Sequence, residues 1–251
     1  MSALPLRQFL RPRWLGFHLL CLGAVVAMVN LGIWQAHRLE QRREFNAGVE
    51  AVAGAPVAEY AEYAAAGGAD EYQRVRVSGE YLQRTFTVVN VSQGGGGGRN
   101  HVGLLALDDG SLLVVNRGFA GGVADLPPLP TGPVDVVGRI RLSQEPRRGQ
   151  VRDDPAAELT EIRRIELAVL AEQFDQPLQP VYVEALLENG EPVPQLSPIA
   201  FPSLDEGPHL SYAIQWFVFS ICVIVGWVLA VRRSSRGPRA GRKPLIPEQY
   251  L

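Results

Sequence analysis

Two of the chain's four histidines stand where imidazole chemistry is plausible. His37 closes one apolar run and His209 opens another, with Trp34, Tyr212 and Trp216 a few residues away. A neutral imidazole can ligate a haem iron, and aromatic side chains between helices can keep a flat macrocycle from water. The same residues also suit an aromatic belt at a membrane surface, with both histidines among the headgroups. Spacing alone leaves both readings open, and the belt is the plainer one.

Other chemistry is not encoded in recognisable form. The sequence has no Gly-x-Ser-x-Gly elbow, no His-Glu-x-x-His and no spaced glycine pattern for phosphates, because Gly94 to Gly98 are consecutive and read as a hairpin tip. Asp108, Asp109, Asp153 and Asp154 form adjacent pairs beside Gly or Pro and read as turns. His101 is the one histidine of residues 72–190, in a strand pattern that suits a structural role. The two cysteines, Cys21 and Cys222, lie inside apolar stretches, so neither a disulfide nor a thiolate metal site is expected between them. A net charge of -2, with basic residues at both ends and acidic ones in the middle, does not suggest a nucleic-acid partner. The chain reads as a non-enzyme.

The histidines are positioned by two apolar segments. Trp14 to Trp34 and Tyr212 to Val231 carry no formal charge apart from any on His18, and at about 1.5 Å per residue each is roughly 30 Å long, a bilayer's hydrocarbon thickness. Arg232, Arg233, Arg236, Arg239, Arg242 and Lys243 follow the second run, whereas Asp205 and Glu206 precede it. This asymmetry places both termini in the cytoplasm and the centre of the chain outside. Gly16, Gly23, Ala27, Asn30, Trp34 and His37 share one side of the first helix and are expected to form its seam with the second; His18 lies off that side. His209, Tyr212, Ala213, Trp216, Ser220 and Trp227 share a face of the second helix.

The expected fold is a membrane protein with two transmembrane helices flanking a small, mainly β (α+β) extracytoplasmic domain. Residues 1–13 are a cytoplasmic N-terminus, 14–34 a span, 35–71 an amphipathic extension and Ala/Gly-rich connector, and 72–190 the domain. A Pro-rich tether follows over 191–211, then a span over 212–231 and a basic tail over 232–251. Within the domain, alternation predicts strands at Arg74–Tyr81, Thr85–Val91, His101–Leu107, Ser111–Asn116, Val134–Leu142 and Val181–Leu186, with an Asp109-Gly110 hairpin turn. Leu159 to Phe174 predicts one helix with alternating Glu and Arg on its wet side.

An ordered set of motifs runs along nearly the whole chain. It comprises Leu31-Gly32-Ile33-Trp34-Gln35 with Arg38-Leu39, then Arg74-Val75-Arg76-Val77-Ser78-Gly79-Glu80-Tyr81, and Val114-Val115-Asn116-Arg117-Gly118-Phe119. Val137-Gly138-Arg139 with Glu145-Pro146 and His209-Leu210-Ser211-Tyr212-Ala213-Ile214-Gln215-Trp216 complete it. The set resembles the Surfeit-locus (Surf-one type) family of cytochrome c oxidase assembly factors. That resemblance implies a non-catalytic protein of the cell membrane that helps insert haem a into subunit I of the oxidase. It implies a haem ligand in the second span, corresponding to His209, with His37 a possible second, and haem A synthase as a further partner. Arg38 and Arg117 are then candidates to neutralise the haem propionates, since guanidinium pairs bidentately with carboxylate. The competing expectation is a membrane-anchored scaffold that docks oxidase or haem-synthase partners without binding haem.

Overall fold

The computed structural model describes residues 9–68, 70–122 and 125–235. In chain order the elements are α1 (Pro12–Gly54), β1 (Ala58–Glu59), α2 (Tyr60–Ala65), β2 (Arg74–Gln93), β3 (Gly96–Ala106) and β4 (Leu112–Gly121). β5 (Pro133–Leu142), β6 (Glu161–Ile162), α3 (Leu167–Ala171), β7 (Leu178–Glu188) and α4 (His209–Ser235) follow. They form two compact units. A helical unit comprises the chain up to Phe45 and from Asp205, and a sheet unit comprises Asn46–Leu204. Arg7 and the basic positions from Arg236 onward lie outside the described residues.

In the helical unit, α1 and α4 are both long and apolar enough to cross a membrane. α1 does not stop where the apolar run ends. Ala, Glu, Gln and Arg dominate residues 36–53 and sustain the helix to Gly54, so the part of the connector before Gly54 is helical and only the remainder forms β1, α2 and turns. The positions of α1 that are wholly or partly covered include Trp14, His18, Cys21, Val25, Met28, Gly32 and Gln35, and those of α4 include His209, Ala213, Trp216, Ser220 and Val223. Steps alternating between three and four residues keep a seam on one side of a helix packed against a neighbour. Gly32 marks the closest approach, because a Cβ there would stand 2.9 Å from the Phe217 ring. Gly16 and Gly23, expected on the seam, have nothing within 4 Å. Asn30 satisfies its amide locally on the Val26 carbonyl at 2.8 Å. The seam is therefore rotated away from the small-residue stripe.

In the sheet unit, β2 pairs with β3, β3 with β4, β4 with β7, β7 with β5 and β5 back with β2, which closes a five-stranded ring. β2 can serve two partners because it is 20 residues long. Its first half, Arg74 to Glu80, pairs with β5 and its second, from Glu80 on, with β3, with a register shift between Tyr81 and Thr85 where the strand turns the corner. β4 and β7 run parallel; the other ring pairings are antiparallel. Val75, Val77, Leu105, Leu113, Val115, Val136, Ile140 and Val183, drawn from all five strands, fill the ring with Tyr60 and Tyr63 of α2 against them. The outward faces of β3 and β4 are covered as well, since Val102, Leu104, Leu112 and Val114 pack with Leu159, Ile162, Ile165 and Leu170. Buried on both faces, the first part of β4, Leu112 to Val115, reads as a continuous apolar run.

One expectation is corrected by the structure. Residues 159–174 form no single helix; β6 pairs with Thr87 and Val88 of β2, and only Leu167–Ala171 is helical. The backbone of Ile165 exchanges hydrogen bonds with Gln144 instead of with its own preceding turn. Glu166, placed on the wet side by its alternation with arginine, is buried and paired with Arg152 and Arg164. Over Val193–Phe201 the Pro-rich tether lies docked on the sheet unit as a strap. Ser197 bridges Phe119, Gln93 holds Pro198 and Ala200, and the Ile199 carbonyl accepts from Arg139 while Phe201 lies on the same guanidinium.

Candidate functional site

His209 begins α4, and its Nδ1 lies 2.8 Å from Oε1 of Gln35 on α1. An amide oxygen can only accept, so Nδ1 carries the proton and the lone pair of the neutral ring sits on Nε2. Nε2 and Cδ2 are 3.5 and 3.4 Å from the place a Cβ would occupy on Gly207, whose φ is +67°. Glycine thus serves there twice, by adopting a left-handed backbone and by leaving the ring edge uncovered. Trp216, two turns along, is half-covered on the seam, and its carbonyl receives the Ser220 hydroxyl at 2.9 Å. Tyr212 is 47% exposed on the flank of the helix.

The other proposed contributors from α1 are not brought to that ring. Trp34 is 53% exposed and His37 is exposed as well. His37 comes two residues after Gln35, about 200° around the helix, which turns it from the seam. Arg38 is exposed, with its guanidinium on Gln41 at 3.1 Å, and remains available to an anion. Arg43 is spent as a bidentate partner of Glu206, at 2.6 and 2.8 Å.

Further along the seam a cavity of about 400 Å³ is lined by His18, Cys21, Leu22, Val25, Val223, Ile224 and Trp227. The indole Nε1–H of Trp227 donates to Nδ1 of His18 at 2.7 Å. Indole has no acceptor, so the His18 proton is on Nε2, opposite to His209. Among the described residues, no three or more His, Cys, Asp or Glu gather to hold a metal ion.

Arg117 belongs to the sheet unit and is committed within it. Its Nε and Nη2 donate to Glu188 at 2.7 and 2.8 Å, and Nη1 reaches His101 Nδ1 at 3.1 Å and the carbonyls of Pro127 and Pro128. Tyr81 adds its hydroxyl to Glu188 at 2.8 Å. Burial, reinforced by the adjacent Arg117 charge, lowers the His101 pKa to about 4 and keeps the ring neutral. The family resemblance makes Arg117 a candidate partner for a haem propionate. With 3% exposure and a partner on each of its three nitrogens, the guanidinium is instead a structural brace of a proline-walled recess. What that assignment lacks is Glu188, which lies 71 residues away in the chain.

Residues 22–221, from within α1 to within α4, match the SURF1 family. The chain belongs to the SURF1 family. A SURF1-like protein of Mycobacterium tuberculosis is 26% identical over 197 residues, covering 72% of this chain and 70% of its own length. A SURF1-like protein of Mycobacterium bovis gives the same figures. A SURF1-like protein of Monosiga brevicollis is 26% identical over 254 residues, covering 93% of this chain and 94% of its own. The resemblance read from the ordered motifs is thereby borne out. Within this SURF1-family chain, sequence reasoning passes over Gln35, Gly207 and the seam position of His18. The alternating three- and four-residue spacing from Trp14 to Gln35 was the signal for the first and last; Gly207 carried none.

Proposed function

We propose that this SURF1-family protein is a non-catalytic assembly factor for a haem–copper cytochrome c oxidase, which holds haem a as cargo and assists its insertion into subunit I. The observation that carries the proposal is His209. Its Nδ1–H is engaged by Gln35, as the second nitrogen of a metal-ligating imidazole usually is, and its Nε2 carries the lone pair. The surroundings fit a haem better than a bare ion. His209 has Trp216 on the same helix face, and no multi-residue ligand cluster is present among the described residues. Tyr212 offers aromatic surface on the flank of α4, and Arg38 of α1 is an exposed cation for a propionate. A cargo site must bind and also let go. One imidazole on a partly exposed helix end meets both demands, and a second ligand from His37 would require it to turn from its present face.

The reading places both termini in the cytoplasm and the sheet unit outside the cell membrane, on the strength of Arg232 and Arg233 in the last turn of α4. Haem A synthase and oxidase subunit I are the partners it implies. The test is to purify the protein from membranes of cells making haem a. A haem a absorption spectrum travelling with the wild type and absent from His209→Ala is expected. A colourless wild type that still co-purifies oxidase subunits would favour the scaffold reading.

A further inference from the structure

The two seam histidines are fixed in opposite tautomers, each by a residue of the opposing helix. His18 on α1 accepts from Trp227 on α4, so its Nε2 is protonated; His209 on α4 donates to Gln35 on α1, so its Nε2 is a lone pair. Only His209 is therefore set as a metal ligand through Nε2. An isolated neutral imidazole exchanges between the two forms, and an indole or a carbonyl at hydrogen-bond distance selects one. The contact also fixes the ring's rotation, because Gln35 and His209 are 174 residues apart in sequence and meet only when α1 and α4 are packed. Gly207 lies beside the Nε2 edge, and an alanine Cβ there would sit in van der Waals contact with that nitrogen.

We propose that Gln35 is the positioning residue of the site: it holds the His209 ring as the Nδ1–H tautomer and aims Nε2 at the iron, with Gly207 leaving the approach open. The proposal rests on the haem reading for its purpose, but not for its geometry. Packing of the two membrane helices thereby becomes a condition for ligation. A chain whose helices separate loses the ring's orientation, which gives a physical route from helix movement to release.

The test uses the full-length protein with ¹⁵N-labelled histidine in detergent micelles, without haem, at about pH 8, well above the ordinary imidazole pKa of about 6.5. Long-range proton–nitrogen correlations are expected to show His209 protonated at Nδ1 and His18 at Nε2. Gln35→Leu should move His209 toward Nε2–H while His18 is unchanged, the latter confirming that the helices remain packed. Gln35→Glu, which keeps an acceptor oxygen, should retain the wild-type tautomer. Titration with ferric iron protoporphyrin IX should then show a loss of affinity of about tenfold or more for Gln35→Leu, recovery in Gln35→Glu, and weakened binding in Gly207→Ala without a tautomer change. An Nε2-protonated His209 in the wild type, or a Gln35→Leu protein with unaltered tautomer and affinity, overturns the proposal. Should the wild type show the expected tautomers yet bind no porphyrin, the haem reading falls and takes the role of Gln35 as a ligand-positioning residue with it, leaving only the helix-to-helix hydrogen bond.

Discussion

Arg117 and Glu188 form a bidentate pair with side-chain exposures of 3% and 8%, and removing one member leaves the other as an uncompensated buried charge. Such a loss costs about 3–5 kcal/mol, far above the ~1 kcal/mol ceiling of most surface pairs. Arg117→Ala is therefore expected to lower the thermal midpoint of the sheet unit strongly, and Glu188→Gln to do so as well. Unchanged melting in either variant would return Arg117 to the pool of free cations. His101 in the same network supplies a pH signature. Its folded pKa of about 4 lies below the ordinary 6.5, so the unfolded chain binds more protons between those values. Stability is fully present above about pH 6.5 and declines as pH falls toward 4, by on the order of 3 kcal/mol at most. Thermal midpoints of the full chain in detergent, measured from pH 7 to 4, should fall less steeply in His101→Gln than in the parent; parallel curves would contradict the assignment.

At the scale of elements, the docked strap is the part of the sheet unit whose behaviour is easiest to change. Gly118 has φ of +140°, and a Cβ there would stand 2.8 Å from the Ser197 carbonyl and 3.0 Å from Leu196 Cβ. Gly118→Val must strain the backbone, at about 1–3 kcal/mol, and push the strap away. Faster amide exchange across Leu196–Phe201 than in the wild type is the expected result, with β5 and β7 little affected; an unchanged exchange pattern would show that the strap is held elsewhere. The strands were legible in the sequence because alternation and the Asp109-Gly110 turn are local signals, and the turn forms with Gly110 at φ +82°. Residues 159–174 were not. Their apolar positions fit a helix as well as they fit an irregular segment laid over β2 and β3, and the choice is made by Gln144 and the edge of β2, far away in sequence. The helix seam failed for a related reason. Small residues and alternating apolar residues each mark a side of α1, and only the partner helix decides which side is used. That decision moved Trp34 and His37 off the seam and put Gln35 on it.

For the whole molecule, the family, the two membrane-length helices and the mixed sheet domain between them in sequence were all readable from ordered motifs and apolar run lengths. The orientation proposed from Arg232 and Arg233 in the last turn of α4 has a simple check. A fluorescent reporter that matures only in the cytoplasm is expected to stay dark when inserted in the exposed Asp109-Gly110 turn and to glow at the C-terminus. The reverse pattern would place the His209 end of α4 on the cytoplasmic side and overturn the proposed orientation.

The proposed ligation of haem a by His209 is tested most directly by titrating the purified protein and its His209→Ala variant with haem a while following the absorption spectrum. Helix insertion and folding should be the same in both, since one interfacial histidine contributes little to spanning a bilayer. The wild type is predicted to saturate with the spectrum of an imidazole-ligated haem, and the variant to lose affinity by roughly tenfold or more. Equal affinity and an identical spectrum in the variant would contradict the claim.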